Sequence, residues 1–184
     1  ACNLYTGCDH GCIYCYAPNA LQRKRDEFHA QVRPRKDVLN KLAKDAAGYG
    51  KAREKRQVLF CFATDPYCHA DAEHALTHQA IEICHRHGLN ICVLTKGGTR
   101  SLRDLNLFGS GDSYACTLTS LDPQESKHWE PNAALPEDRI EALSAFHDAG
   151  IYTWVSLEPV LDPSTTLDII ERTAPFVDEF KVGT

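Results

Sequence analysis

Three cysteines stand close together in "GCDHGCIYCYAP" (Gly7 to Pro18): Cys8, Cys12 and Cys15, spaced x₃ then x₂. Thiolates are the soft ligands that zinc and iron–sulfur clusters take. A structural zinc asks for four ligands, commonly as two separated pairs. Here the fourth would have to come from His10, from Cys2 or from a distant residue. A [4Fe–4S] cluster takes up to four thiolates, and three would leave one iron open to a ligand from outside the protein. A redox dithiol is the third reading. Gly7 and Gly11 let the backbone wrap closely, with no Cβ in the way.

The remaining six cysteines (Cys2, Cys61, Cys68, Cys84, Cys92 and Cys116) are scattered singly through apolar segments. Nine is an odd number, and the spacing does not resemble a disulfide framework. Thiols kept reduced, with a metal at the cluster, fit this pattern better. Cys61 and Cys68 flank the "ATDP" turn; the others read as small buried hydrophobes. His74 and His78 lie four apart on one helical stretch, but no H-E-x-x-H pattern accompanies them. With His85 and His87 they read as a histidine-rich polar face.

The elements that must position these residues follow from the apolar pattern. Strands are expected at Cys2–Thr6, Val58–Thr64, Asn90–Lys96, Tyr114–Leu121, Tyr152–Glu158 and Phe180–Thr184. Helices are expected over about 35–47, 72–87, 102–107, 137–149 and 165–175. Strands joined by helical crossovers run parallel. Polar groups collect at the carboxyl ends of these strands: the cysteine loop after the first, Thr64 and Asp65 after the second, Lys96 after the third. Thr119 and Ser120 end the fourth, and Ser156 and Glu158 the fifth. That is the layout of a barrel mouth, so the expected fold is α/β, a parallel (βα)₆ partial TIM-like barrel.

The chain has 184 residues, 43 % of them apolar, and a net charge of −5. It reads as one domain, residues 1–184. It begins with Ala1 and holds no methionine, so the expectation is a piece of a longer chain. No apolar run approaches the ~20 residues of a membrane span, and the expected location is the cytoplasm. Residues 22–56 carry twelve Lys and Arg against five Asp and Glu. A basic block of this kind marks either a nucleic-acid face or a solvated helix, and no aromatic residues interleave to stack on bases.

C-x₃-C-x₂-C with an aromatic before the last cysteine (Cys8, Cys12, Tyr14, Cys15) resembles the radical S-adenosylmethionine (radical SAM) superfamily. "GCDHGCIYCYAP", "FATDPY", "TKGGTRSLRD" and "SLEP" follow the order seen in the group containing spore photoproduct lyase and its bacterial and phage relatives. The resemblance covers essentially the whole chain. It implies a [4Fe–4S] cluster on Cys8, Cys12 and Cys15 that reductively cleaves SAM, and a 5′-deoxyadenosyl radical that abstracts hydrogen from a substrate. It places Tyr14 against the adenine, Thr64 and Asp65 at the SAM amino group, and Lys96 at its carboxylate. Thr119 or Ser120 would reach the ribose hydroxyls, with Glu158 a further polar contact. An external electron donor such as flavodoxin or ferredoxin is implied. The kinship and the basic block favour DNA or RNA as substrate, with a peptide or small metabolite as the alternative. A zinc-containing, non-enzymatic binding module is the rival from another class. The lyase carries a hydrogen-donating cysteine at the end of this second strand. Here Cys61 lies four residues before Asp65 where three are expected, and Phe62 fills that place; Cys61 is the candidate donor.

Overall fold

Five of the apolar segments form one parallel sheet in the computed structural model, which describes residues 1–183. The strands are β1 (Val58–Phe60), β2 (Ile91–Thr95), β3 (Ser113–Thr117), β4 (Tyr152–Leu157) and β5 (Glu179–Val182), and they neighbour one another in sequence order. Between them run α4 and α5 (Asp71–His74 and Leu76–Arg86), a 3₁₀ helix (Gly98–Leu107), α6 and α7 (Pro123–Trp129 and Pro136–Asp148) and α8 (Pro163–Thr173). Ahead of β1 come α1 (Ala17–Ala20), α2 (Arg25–Ala30) and α3 (Val38–Lys51). The expected α/β architecture stands, with sequential parallel strands and helical crossovers.

Side chains alternate across a strand, and here the two faces differ in what they touch. One face, including Phe60, Val93, Tyr114, Cys116, Val155 and Leu157, joins Ala80, Ile81, Cys84, Leu143, Phe146 and Ile169 of the helices in a single core. The other carries Cys92, Ala115 and Trp154, with Leu59 and Leu94 against them, and no helical residue enters that group among the described residues. A sheet that buries one face without a second layer is curved onto itself, as in a partial barrel.

Helix starts are written locally. Asp122 caps α6 by accepting from the amides of Gln124 and Glu125, and Asp162 caps α8 by accepting from Thr165. Each is followed by proline in the first helical turn, where its missing N–H costs nothing. Helix α7 buries Ile140, Leu143 and Phe146 along one stripe. The Phe146 ring stacks on Tyr114 of β3 at 3.8 Å between centroids, with Phe108 edge-on at 4.7 Å.

Three expectations change. The strand expected at Cys2–Thr6 is reduced to one parallel bridge, Cys2 to Phe60, and one antiparallel bridge, Tyr5 to Pro34. The strand expected over Val58–Thr64 stops at Phe60. Both have one cause: the Asn3 side chain accepts from the amides of Phe62 and Ala63 at 3.0 and 2.7 Å, so no ladder continues there. The helix expected over 72–87 breaks at Ala75, because the buried Asp71 carboxylate accepts from the Thr77 amide at 3.1 Å and starts a new helix. Thr184, at the end of the last expected strand, lies outside the described residues.

Replacing Phe146 by Ala removes the ring that joins α7 to β3. The expected loss is about 3–5 kcal/mol of unfolding free energy, read from urea denaturation at unchanged m-value.

Candidate functional site

The cysteine loop has no regular structure of its own and is held by its surroundings. From α2, Arg25 donates to the carbonyls of Cys12 and Cys15 at 3.0 and 2.7 Å, and His29 Nδ1 donates to that of Cys8 at 2.8 Å. From the other side, the Ile13 amide donates to the Trp129 carbonyl, while Asn132 donates to the carbonyls of His10 and Asp9. The Asp9 carboxylate in turn accepts from the amides of His69 and Ala70. Two glycines matter here. Gly11 has φ +71°, and a Cβ on Gly7 would fall 2.3 Å from the Phe28 carbonyl oxygen. Arg25 therefore belongs to the loop's scaffold, and with it part of the basic block; Arg23 likewise donates to the Thr6 carbonyl. Arg35, Lys36, Lys41 and Arg56 line a separate cleft of about 720 Å³ beside α3, which Asp45 and Glu54 also line.

The loop overhangs the carboxyl ends of the strands, where a cleft of about 560 Å³ opens. Cys8, Cys12 and Cys15 all border it, as do Tyr14, Thr64, Asp65, Lys96 and Glu158. The cleft thus gathers eight of the ten residues singled out for metal or cofactor, together with Cys61. The exceptions are Thr119 and Ser120. Strand β3 ends at Thr117, short of the expected Leu121, and the chain then turns into the Asp122 cap. Ser120 is taken up by that turn: its hydroxyl donates to Glu125 and accepts from the Asp122 amide. Thr119 is buried with an unpartnered hydroxyl, but it is Thr117, with Ser156, that borders the cleft.

Among the cleft residues, some polar groups are committed and some are free. Asp65 accepts from the Thr95 hydroxyl (2.6 Å) and from the amides of Tyr67 (2.8 Å) and Lys96 (2.7 Å), and His10 Nδ1 lies 3.5 Å away. Burial pushes its carboxyl up, but His10 and these donors outweigh that and hold it below its ordinary value. The other His10 nitrogen accepts from Arg100 at 3.0 Å, and burial lowers this imidazole to about 4. Both nitrogens of His10 are thus engaged, and Cys2 lies outside the cleft, so neither foreseen fourth ligand is available to the cysteine trio. Thr64 is different: its buried hydroxyl lies beside the Cys61 sulfur yet has no hydrogen-bond partner of ordinary geometry. The Lys96 ammonium is 5.6 Å from the centroid of the Tyr14 ring, and among the described residues no carboxylate pairs with it. Burial works against its charge, but Cys12, Glu130 and Asp65 outweigh it and keep the ammonium protonated. Cys61 is buried, and burial pushes its thiol up to about 12, while the Phe62 ring stands out at the cleft's lip, edge-on to Tyr16 at 5.9 Å. Away from the cleft, His78 is held by Asp104 at 2.8 Å.

One part of the site has no counterpart in the sequence reading. Glu130 and Arg139 form a fully buried ion pair at 2.5 Å beneath the loop, and the Tyr14 hydroxyl donates to Glu130. Arg139 also donates to the carbonyls of Ala134 and Thr117 at 2.8 and 2.9 Å. Burial would raise the Glu130 carboxyl, but Arg139, Lys96 and Tyr14 hold it low. The signal was present: Arg139 precedes Ala142, Leu143 and Phe146 by three, four and seven residues, a charge placed on an apolar stripe.

A structural zinc needs its ligands to converge on one ion, and among the described residues no three His, Cys, Asp or Glu side chains do so. A cubane takes each thiolate on a different iron, so three cysteines around one cleft wall suit it. The cleft therefore fits a cluster with a small zwitterionic partner beside it. A parallel partial barrel with a three-cysteine loop over its strand ends is the architecture of a cofactor-dependent α/β enzyme core. The chain belongs to the radical SAM superfamily, whose family profile it matches over residues 2–177; the superfamily's members are enzymes that use a [4Fe–4S] cluster and SAM. An uncharacterised protein of Mycobacterium tuberculosis is 30 % identical over 172 residues, which cover 89 % of this chain and 50 % of that protein. A radical SAM Nα-GlyT isomerase of Pseudomonas phage M6 is 27 % identical over 176 residues, 90 % of this chain and 34 % of the isomerase. Spore photoproduct lyase with bound AdoMet and dinucleoside spore photoproduct superposes with a TM-score of 0.76 at 18 % identity, covering 97 % of this chain and 52 % of the lyase. The chain spans about half the length of the mycobacterial relative it matches. None of its described helices is long and apolar enough to cross a membrane.

Changing Arg139 to Met strands a buried carboxylate under the loop. Unfolding free energy should fall by about 3–5 kcal/mol, and the double variant Glu130→Gln, Arg139→Met should recover much of it, as a double-mutant cycle in urea would show.

Proposed function

We propose that this chain is the cofactor-binding core of a radical SAM enzyme, with Cys8, Cys12 and Cys15 as ligands of a [4Fe–4S] cluster. The observation that carries this reading is the cleft itself. Three thiol residues share a wall with an unpaired ammonium and an unpartnered hydroxyl, and both nitrogens of the nearby histidine are tied up. When bound, the cluster and SAM supply reductive cleavage of a C–S bond and the radical that abstracts hydrogen.

The protein's own part is to bind, orient and exclude water. Lys96 meets the SAM carboxylate with a charge-assisted contact, stronger than a neutral hydrogen bond. Thr64 offers its free hydroxyl oxygen to the SAM amino group. Asp65, its oxygens already occupied, fixes the turn that presents Thr64 and the backbone that presents Lys96. Tyr14, pinned at its hydroxyl by Glu130, gives the adenine a flat wall. Thr117 and Ser156 replace Thr119 and Ser120 as the hydroxyls facing the ribose, with Glu158 beyond them. Cys61, a fourth thiol on the cleft wall, is the candidate hydrogen donor. The electron comes from an external donor such as flavodoxin or ferredoxin.

The substrate we favour is a nucleic acid or a component of one. Support comes from the phage isomerase and the dinucleoside-bound lyase among the similar proteins. The basic block adds less than its charge suggests, since Arg23 and Arg25 are committed to loop carbonyls.

Anaerobic reconstitution with iron and sulfide should give a brown protein that, once reduced, converts SAM to 5′-deoxyadenosine. Alanine at Cys8, Cys12 or Cys15 should abolish both the colour and the product. A colourless protein holding one zinc and inert to SAM would overturn the proposal. So would loss of the cluster in Cys61→Ala, since that would place a protein ligand in the fourth position.

Lys96→Met should leave the cluster's absorbance intact and weaken SAM binding by about tenfold or more, the scale of a lost charge-assisted hydrogen bond. Equilibrium titration with SAM reads this directly.

A further inference from the structure

The sheet face away from the helices carries two rows that the cofactor reading does not exhaust. Strand register puts Leu94, Ala115 and Trp154 side by side across β2, β3 and β4. One step nearer the cleft, the same register aligns Thr117, Ser156 and Lys181 across β3, β4 and β5. Adjacent strands lie about 4.8 Å apart, so this second row spans about 10 Å. The concave face is thus an apolar floor topped by two hydroxyls and an ammonium.

Lys181 is held in place. Its Nζ stands 3.7 Å from the centroid of the Trp154 ring, and Trp154 is itself only 6 % exposed. A cation over an indole face is fixed by the ring's quadrupole and by burial of the lysine stem. Two carboxylates share this rim. Glu179 pairs with Lys181 at 3.7 Å, both side chains being 45 % exposed, a weak contact in that setting. Glu158 accepts from Ser156 at 3.3 Å and lies against Gly183. With one cation among two acids, a multiply charged phosphate would be repelled, whereas a group carrying a single negative charge is tolerated.

We propose that the concave face is the substrate's binding wall and that Lys181, with Thr117 and Ser156 beside it, recognises a singly charged oxyanion on the substrate, either a phosphodiester or a carboxylate. This rests on the reading of the cleft as a radical SAM site and adds to it a specificity-determining residue on the last strand. The apolar row of Leu94, Ala115 and Trp154 receives the uncharged portion of the same molecule. A phosphodiester fits the row better than a carboxylate, because its two free oxygens accept from the ammonium and a hydroxyl at once.

The test is equilibrium binding by calorimetry to the reconstituted protein, with no reductant present. The probes are a deoxydinucleotide with one phosphodiester, its parent nucleoside, and an N-acetylated dipeptide with one carboxylate. The dinucleotide is expected to bind at least tenfold more tightly than the nucleoside. Lys181→Gln should weaken it about tenfold and flatten its salt dependence by roughly 0.7 in log–log slope, the share of one phosphate contact on a single strand. Lys181→Arg should restore most of the affinity, which a merely structural lysine on an exposed strand end would not require. Tighter binding of the dipeptide, still dependent on Lys181, would keep the oxyanion site and assign it to a carboxylate. Equal binding of both anionic probes to wild type and Lys181→Gln, or no binding of either to wild type, overturns the inference. SAM binding and conversion to 5′-deoxyadenosine are expected to be unchanged in both variants. Their absence from the wild type would instead sink the underlying reading of the cleft.

Discussion

The buried guanidinium of Arg139 is the contact on which the arrangement of the site depends. It reaches the end of β3 through the Thr117 carbonyl, the loop before α7 through Ala134, and the end of α6 through Glu130. Glu130 then holds the hydroxyl of Tyr14 inside the cysteine loop. A single planar fork thereby ties the strand layer to the loop that overhangs it. Taking two charges out of water is costly, and such a pair is tolerated only when every donor is matched. Here the geometry supplies that match from three directions, which makes the position of Tyr14 a property of the core rather than of the loop.

The loop itself illustrates how an irregular segment is made definite. It has no ladder or helix to satisfy its backbone, so its carbonyls and amides are met one at a time by Arg25, His29, Trp129 and Asn132. Asp65 does the same service for the turn beyond β1, which is why a residue that looks like a ligand-facing acid is already occupied. The groups left over, Thr64 and Lys96, are the ones that a zwitterionic ligand would need. Commitment of the neighbours is what makes these two available.

The curvature of the sheet divides labour between its faces. The convex face anchors the helices through Tyr114, Phe146 and their neighbours. The concave face is narrow enough for Trp154, Ala115 and Cys92 to bury one another, and it leaves a polar row next to the cleft. Cofactor site and substrate wall are thus consecutive stretches of the same strands, so a change of substrate need not disturb the cysteine loop.

By itself the sequence determined the order of the elements, the parallel sense of the sheet and the trio of cysteines, because periodicity and spacing are local properties. It also placed Tyr14, Thr64, Asp65, Lys96 and Glu158 at the strand ends, and all five border the cleft. It misplaced Thr119 and Ser120 because the Asp122 cap pulls the chain away two residues earlier than apolar content suggests. It overextended the first two strands because the Asn3 side chain takes the amides a ladder would use. Tertiary structure alone decided which polar groups are already satisfied, that Arg139 and Glu130 meet, and that Thr117, Ser156 and Lys181 fall into one row. Those facts depend on pairing residues up to a hundred or more positions apart, such as Tyr14 and Glu130, and only closure of the core brings such groups within hydrogen-bonding distance.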